Sequence, residues 1–215
     1  MSSEFAIAEV LPGKLNALVK NLMLQMSIAD PNEAVRRVNS GEWIVSQPAR
    51  RWRVDSEGII YFSVTSNGWT GEEWIAYFEK KGIKLSKWTK DVLLSADFKS
   101  TSGVTTEIAV LPGSLFNDSG RITSKIRAEA GKRKLTKPNA EVGCLIRDMF
   151  TDKEIEAMGL VWIVAMHEPI KDSDGDLSLL LASRYDDGSW LGASYDNPDF
   201  KWYRGSGCAF ARLAS

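Results

Sequence analysis

Beyond Ile170 the chain contains no valine and no isoleucine, although both are frequent before that point. The segment from Lys171 onward draws instead on Tyr, Trp, Phe, Gly, Ser, Asp, Asn and Arg, and holds Tyr185, Trp190, Tyr195, Phe200, Trp202 and Tyr203. The β-branched aliphatics Val and Ile fill strands and cores, so a stretch without them is not expected to build an ordinary sheet core. It is also too aromatic for a flexible linker. Binding loops have this composition: Tyr and Trp offer large amphipathic contact area with few rotatable bonds, while Ser, Gly and Asn adapt and hydrogen-bond. A structural C-terminus pinned by its own packing is the bland alternative, and composition alone does not choose between the two.

The chain before Ile170 is of another kind. Over residues 10–40 the residues Leu11, Leu15, Leu18, Val19, Leu22 and Met26 recur at spacings of three and four, which predicts a helix. Asp30-Pro31-Asn32-Glu33 then supplies an acceptor at N-cap, proline at N1 and Glu at N3, opening a second helix. From Gly41 the pattern turns to aromatic and β-branched runs: Trp43-Ile44-Val45, Trp52-Arg53-Val54 and Ile59–Val64, with a hairpin signal at Asp55-Ser56-Glu57-Gly58. Capping boxes at Thr70-Gly71-Glu72-Glu73 and Thr151-Asp152-Lys153-Glu154 start further helices, and Phe150 with Ile155 forms a hydrophobic staple at the second. Another helix is predicted from Ser86 to Leu94, a strand over Thr105–Leu111, helices over 119–135 and 139–150, and a buried strand over Val161–Met166. Short strands interleaved with short helices, without regular βαβ alternation, indicate an α+β fold.

With 215 residues, 27 Lys and Arg, and 28 Asp and Glu, the chain suits one large domain or a domain with an appendage, and has no strong overall attraction to nucleic acid or anionic membrane. One histidine and two cysteines exclude a Cys/His zinc site and any disulfide framework beyond one bridge, and leave His167 alone for any triad. No apolar run spans a membrane, and the start Met1-Ser2-Ser3-Glu4-Phe5 lacks the form of a signal peptide, so a cytoplasmic location is expected.

Three motifs near the end carry a family resemblance: Asp187-Gly188-Ser189-Trp190, Tyr195-Asp196-Asn197-Pro198-Asp199 and Gly207-Cys208-Ala209-Phe210-Ala211. Together they resemble the ending of C-type lectin folds, and more narrowly the variable proteins of diversity-generating retroelements. Those carry a "GGSW" turn, an "NPDNR"-like segment and a terminal "GF(A/R)" strand. Cys208, where an aromatic is usual, and Asp187 depart from the pattern. In that family unfaithful copying of template adenines turns Asn codons into many others, though never into Trp, Lys, Glu, Gln or Met. The resemblance implies a variable region over 184–208 within a C-type lectin-like domain at 42–215, after an N-terminal helical segment at 1–41. It assigns ligand contact to Ser189, Gly192, Ser194, Tyr195, Asp196, Asn197, Phe200, Tyr203, Gly205 and Ser206, all within the reachable set. Trp190, Trp202, Ala209 and Phe210 would be the fixed scaffold. Such variable side chains must point to solvent from a backbone held by other residues, because buried substitutions cost about 1–5 kcal/mol. The implied function is binding of a protein or other macromolecular ligand, with no catalysis, metal or cofactor, and with homo-oligomerisation or display providing avidity.

Other signals point elsewhere. Arg121, Lys125, Arg127, Lys132, Arg133, Lys134 and Lys137 face one acid, Glu129, across 121–137, which suggests a nucleic-acid-associated or regulatory protein as the alternative. A solvated helix face is the plainer reading. Asp172-Ser173-Asp174-Gly175-Asp176 resembles the start of a calcium loop, but Ser183 stands where an EF-hand needs Glu, so a polar turn is expected. The formylglycine-generating enzymes share the fold but use a cysteine pair near the end, where this chain has only Cys208. His167-Glu168 reads as a structural histidine, and Cys144 as a small buried apolar residue.

Overall fold

The computed structural model describes residues 12–43, 50–185 and 187–212. Leu11, Ile44, Val45 and the side chain of Leu15, named above in expected elements, lie outside the described residues. Contacts divide the chain into two units, Met1–Arg50 and Arg51–Ser215.

The first unit is a helical pair, α1 (Pro12–Met26) and α2 (Pro31–Asn39). Ser27 reverses the chain with a positive φ of 54°. Leu22 and Met26 of α1 are buried with Ala34 of α2, whereas Leu18, expected on the same apolar face, is exposed. Asp30 caps α2 by accepting from the Asn32 amide at 2.9 Å. Glu33 completes no capping box. It accepts instead from Arg36 and Arg37, whose guanidinium groups hold its carboxyl down at about 2.

The second unit is mixed α+β. Its strands are β1 (Arg53–Val54), β2 (Ile60–Asn67), β3 (Lys84–Leu85), β4 (Ser102–Pro112), β5 (Leu135–Thr136), β6 (Trp162–Ala165), β7 (Ile170–Lys171), β8 (Leu177–Tyr185), β9 (Gly188–Tyr195) and β10 (Ser206–Arg212). They form one sheet in the order β1-β2-β4-β10-β6-β8-β9-β3, with β5 beside β10 and β7 beside β8. The helices are α3 (Gly71–Lys80), α4 (Lys87–Leu94), α5 (Thr123–Lys132), α6 (Glu141–Met149) and α7 (Asp152–Ala157). The capping boxes at Thr70 and Thr151 are both complete, and Phe150 and Ile155 are buried in the same core.

Alternation along the strands gives the sheet two faces. On the first, Ile108, Val110, Ile163, Leu180, Ala182, Leu191 and Ala209 pack with Trp74 and Phe78 of α3, Val92 and Leu93 of α4, and Val142 and Ile146 of α6. On the second, Ala109, Leu111, Val164, Met166, Leu179, Leu181, Cys208 and Phe210 pack with Ile126 and Ala130 of α5, and with Trp202. Covered on both sides, the middle strands read as continuous apolar runs, which is why Val161–Met166 shows no alternation.

The expectation that the C-terminal segment would supply no ordinary sheet core is corrected by this arrangement. Three of its strands belong to the sheet, and β10 lies between β4 (antiparallel, Ala209 opposite Val110) and β6 (parallel, Ala209 opposite Ala165). Leu179, Leu180, Leu181 and Ala182 fill β8, while Cys208, Ala209 and Phe210 fill β10. Leucines and small residues suffice because neighbouring strands and helices supply the β-branched bulk. Gly207 shows how tight the fit is, since a Cβ there would stand 2.8 Å from both Leu160 and Val110.

Candidate functional site

The segment between β9 and β10 gets its shape from α5. The residue before α5, Ile122, has no side chain able to cap, so the first helical amides need other acceptors. The C-terminal segment provides them: Thr123 N–H donates to the Phe200 carbonyl at 3.1 Å and Ser124 N–H to the Pro198 carbonyl at 2.9 Å. Trp202 locks the arrangement. Its backbone N–H donates to the Arg121 carbonyl at 2.8 Å, its indole to Thr123 Oγ1 at 3.0 Å, and Arg121 Nε donates to its carbonyl at 3.3 Å. Trp202 is 3% exposed. Phe200 leans edge-on against it at 4.8 Å and stays on the surface.

Three aromatic side chains in this region project outward: Tyr195, Phe200 and Tyr203 are 51%, 36% and 68% exposed. They do not all share one face. Along β9 the buried Leu191 marks the first face, so Ser189 and Tyr195 fall on that side, whereas Trp190, Gly192 and Ser194 fall on the second. Gly192 leaves room for a side chain, since a Cβ there would meet Leu181 at an ordinary 3.6 Å. Asn197 accepts from the Asp199 amide at 2.8 Å and so shapes its own turn.

Several positions assigned to ligand contact are enclosed or tied up within the fold and present no free side chain. Ser206 is fully enclosed. The Asp196 side chain is only 7% exposed and pairs with Arg127 of α5, accepting a hydrogen bond on Oδ2 at 3.1 Å. Its Oδ1 stands 3.0 Å from the guanidinium but off any hydrogen-bond line. Ser189 donates to Asp152 Oδ2 at 2.7 Å, and Asp152 Oδ1 accepts from the buried Arg147 at 2.8 Å. Arg147 in turn donates to the carbonyls of Ser183 and Phe150, so Ser189 is tied to a buried ion pair. A side chain at Gly205 would press on Val161 at 3.1 Å. The variable region therefore cannot extend as free side chains to 208, because Ser206, Gly207 and Cys208 are all buried.

Of the expected scaffold, Trp202 and Phe210 are buried in the second-face core and Ala209 in the first. Trp190 is only half-buried. Its indole donates to Asp187 at 3.0 Å, and Lys84 Nζ lies 5.3 Å from its ring centroid while pairing with Asp187 at 2.8 Å.

The basic run is largely neutralised within the fold. Arg121 pairs with Asp118, Arg127 with Asp196, Lys132 with Glu129, Arg133 with both Glu129 and Glu57, and Lys137 with Glu168. Lys125 donates to the Ser119 carbonyl. Asp172 is used up by its turn, accepting from the amides of Asp174 and Asp176 and from the Ser178 hydroxyl. Among the described residues no group of three His, Cys, Asp or Glu is placed to hold a metal ion, and no helix is long and apolar enough to cross a membrane. His167 is enclosed and neutral: its Nδ1 bonds the Glu168 carbonyl at 2.6 Å, and its Nε2 accepts from the Leu180 amide at 3.0 Å. Burial lowers it to about 4. Both thiols are buried, and burial pushes Cys208 up to about 12, far from a reactive thiolate.

Sequence reasoning missed Arg127, Arg147 and Asp152 as supports, and Trp162 as a half-buried aromatic beneath Tyr203. Trp162 sits two residues from Val164 and one from Ile163, so it belongs to the second face. No protein-family model, no curated protein and no solved structure matches the chain.

Proposed function

We propose that this chain is a ligand-recognition protein whose C-terminal segment carries the binding surface, as in the variable proteins of diversity-generating retroelements with a C-type lectin fold. The observation that carries the reading is the division of labour over residues 196–203. Main-chain bonds to α5 and the buried Trp202 fix the loop, while the Phe200 and Tyr203 rings make one edge-on aromatic contact each and face solvent. A surface whose shape does not depend on its outward side chains is what a diversified site requires. The residues left for recognition are Gly192, Ser194, Asn197, Phe200 and Tyr203, with Tyr195 at the rim, and the ligand is a protein or other macromolecule. Aromatic residues on a rigid loop make effective hot spots at low entropic cost.

The test lies in the DNA beside the coding sequence. A near-copy of the stretch encoding 184–208, differing mainly at adenines and adjacent to a reverse-transcriptase gene, is the expected result. Absence of both overturns the retroelement assignment. With five of the seven cations of 121–137 paired to acids, the nucleic-acid alternative has no comparable support.

A further inference from the structure

Ser206, Trp162, Ser183 and Trp190 form a row across four adjacent strands. Ser206 of β10 is opposite Trp162 of β6, Trp162 opposite Ser183 of β8, and Ser183 opposite Trp190 of β9. All four fall on the second face, because Cys208, Val164 and Leu181 stand two residues from the first three on that side, and Gly192, two residues from Trp190, faces Leu181. Three polar atoms in this row, Ser206 Oγ, Trp162 Nε1 and Ser183 Oγ, are buried and have no hydrogen-bond partner. Both serines are fully enclosed. Buried polar groups are normally paired, so three orphans side by side are unusual for a core.

Their chemistry narrows what would satisfy them. The indole only donates, and a serine hydroxyl donates freely in any direction it can rotate to. The two hydroxyls are about 10 Å apart across two strand spacings, so one small group reaches the indole and one serine, not both. Ser206 is the better placed of the two. It closes the turn Tyr203–Ser206, in which its amide donates to the Tyr203 carbonyl at 3.1 Å. That turn carries Arg204, exposed and unpaired among the described residues. Tyr203 covers the indole edge-on, with ring centroids 5.5 Å apart, while itself 68% exposed.

We propose that Trp162, Ser206 and Arg204 form a fixed subsite for a carboxylate borne by the partner, closed in the free protein by Tyr203. One carboxylate oxygen takes the indole hydrogen, the other takes the Ser206 hydroxyl, and Arg204 supplies the opposite charge. Tyr203 swings aside to admit it. Naming an acidic partner group deepens the recognition reading and rests on it, whereas the subsite itself is readable with a free carboxylate.

The test is an indole ¹⁵N–¹H spectrum of the full chain, which resolves eight Trp side chains. Trp162→Phe identifies the Trp162 signal. Acetate is titrated at constant ionic strength, with acetamide as the uncharged arm. The Trp162 signal is expected to shift saturably with acetate and only weakly with acetamide. Ser206→Ala is expected to weaken acetate binding about fivefold, Arg204→Gln to weaken it, and Tyr203→Ala to strengthen it by removing the cover. The proposal is overturned if Trp162 moves no more than the other indoles, if Ser206→Ala leaves the affinity unchanged, or if acetamide binds as well as acetate. Acetate binding without the adenine-varied near-copy would leave the subsite standing and remove the retroelement assignment, so the two failures are distinct.

Discussion

The indole of Trp202 donates to Thr123 Oγ1 across 3.0 Å, and both partners are buried. This bond crosses the junction where α5, which has no side-chain cap of its own, takes its first acceptors from the C-terminal loop. Thr123→Val keeps the shape but leaves the indole nitrogen unsatisfied, an expected loss of about 1–3 kcal/mol. Trp202→Ala should lose about 3–5 kcal/mol. Urea denaturation measures both. A loss below about 0.5 kcal/mol for either would show that the loop is held some other way.

Neighbouring positions should differ sharply in tolerance. Tyr203→Ser, Tyr203→Asp and Phe200→Ser change exposed side chains and are expected to shift stability by no more than about 1 kcal/mol. Ser206→Tyr forces a ring into an enclosed site, with an expected loss of about 1–3 kcal/mol or more. Thermal melts of a small library at 203 and 206 report the contrast directly. Equal tolerance at the two positions would remove the basis for separating surface from support.

Removing Asp152 strands the guanidinium of Arg147, which lies inside the fold. Because Asp152 is itself about one-third exposed, water compensates in part, and Asp152→Ala is expected to lose about 2–3 kcal/mol. Arg147→Met removes the charge together with its need for a partner and should lose less than Asp152→Ala. Unfolding curves for both variants and the double variant check the order.

His167 gives the protein a defined acid sensitivity. Its ordinary value is 6.5 and burial lowers it to about 4 in the folded chain. Between those values the unfolded chain holds the extra proton and the folded chain does not, so unfolding gains as pH falls. The contribution is fully present above about 6.5 and is lost progressively down to about 4, amounting to about 3 kcal/mol. Urea midpoints followed across that window should fall for the native chain, and fall less for His167→Gln. Parallel slopes would mean that other groups govern the acid limb.

Local order was easier to read from the residues than the global arrangement. The caps at Thr70, Ser86 and Thr151 act through one or two hydrogen bonds within a single turn, so their spacing alone places α3, α4 and α7. The hairpin at Asp55 was equally local: its carboxylate accepts from the amides of Glu57 and Ile59. The place of β10 between β4 and β6 was not legible, because pairing over such separations leaves no short-range pattern. For the same reason Asp196 read as a surface residue. Its partner, Arg127, is remote in sequence and was counted as part of a solvated basic face. The aromatic composition did flag the segment holding Tyr195, Phe200 and Tyr203, but could not tell which polar neighbours were structural.

The position of β10 also bears on how the chain is made. Until Ser206–Arg212 emerge from the ribosome, β4 and β6 have no strand between them, and each presents an unpaired apolar edge. The growing polypeptide therefore passes through an aggregation-prone interval, in which a chaperone that shields those two edges is expected to raise its yield.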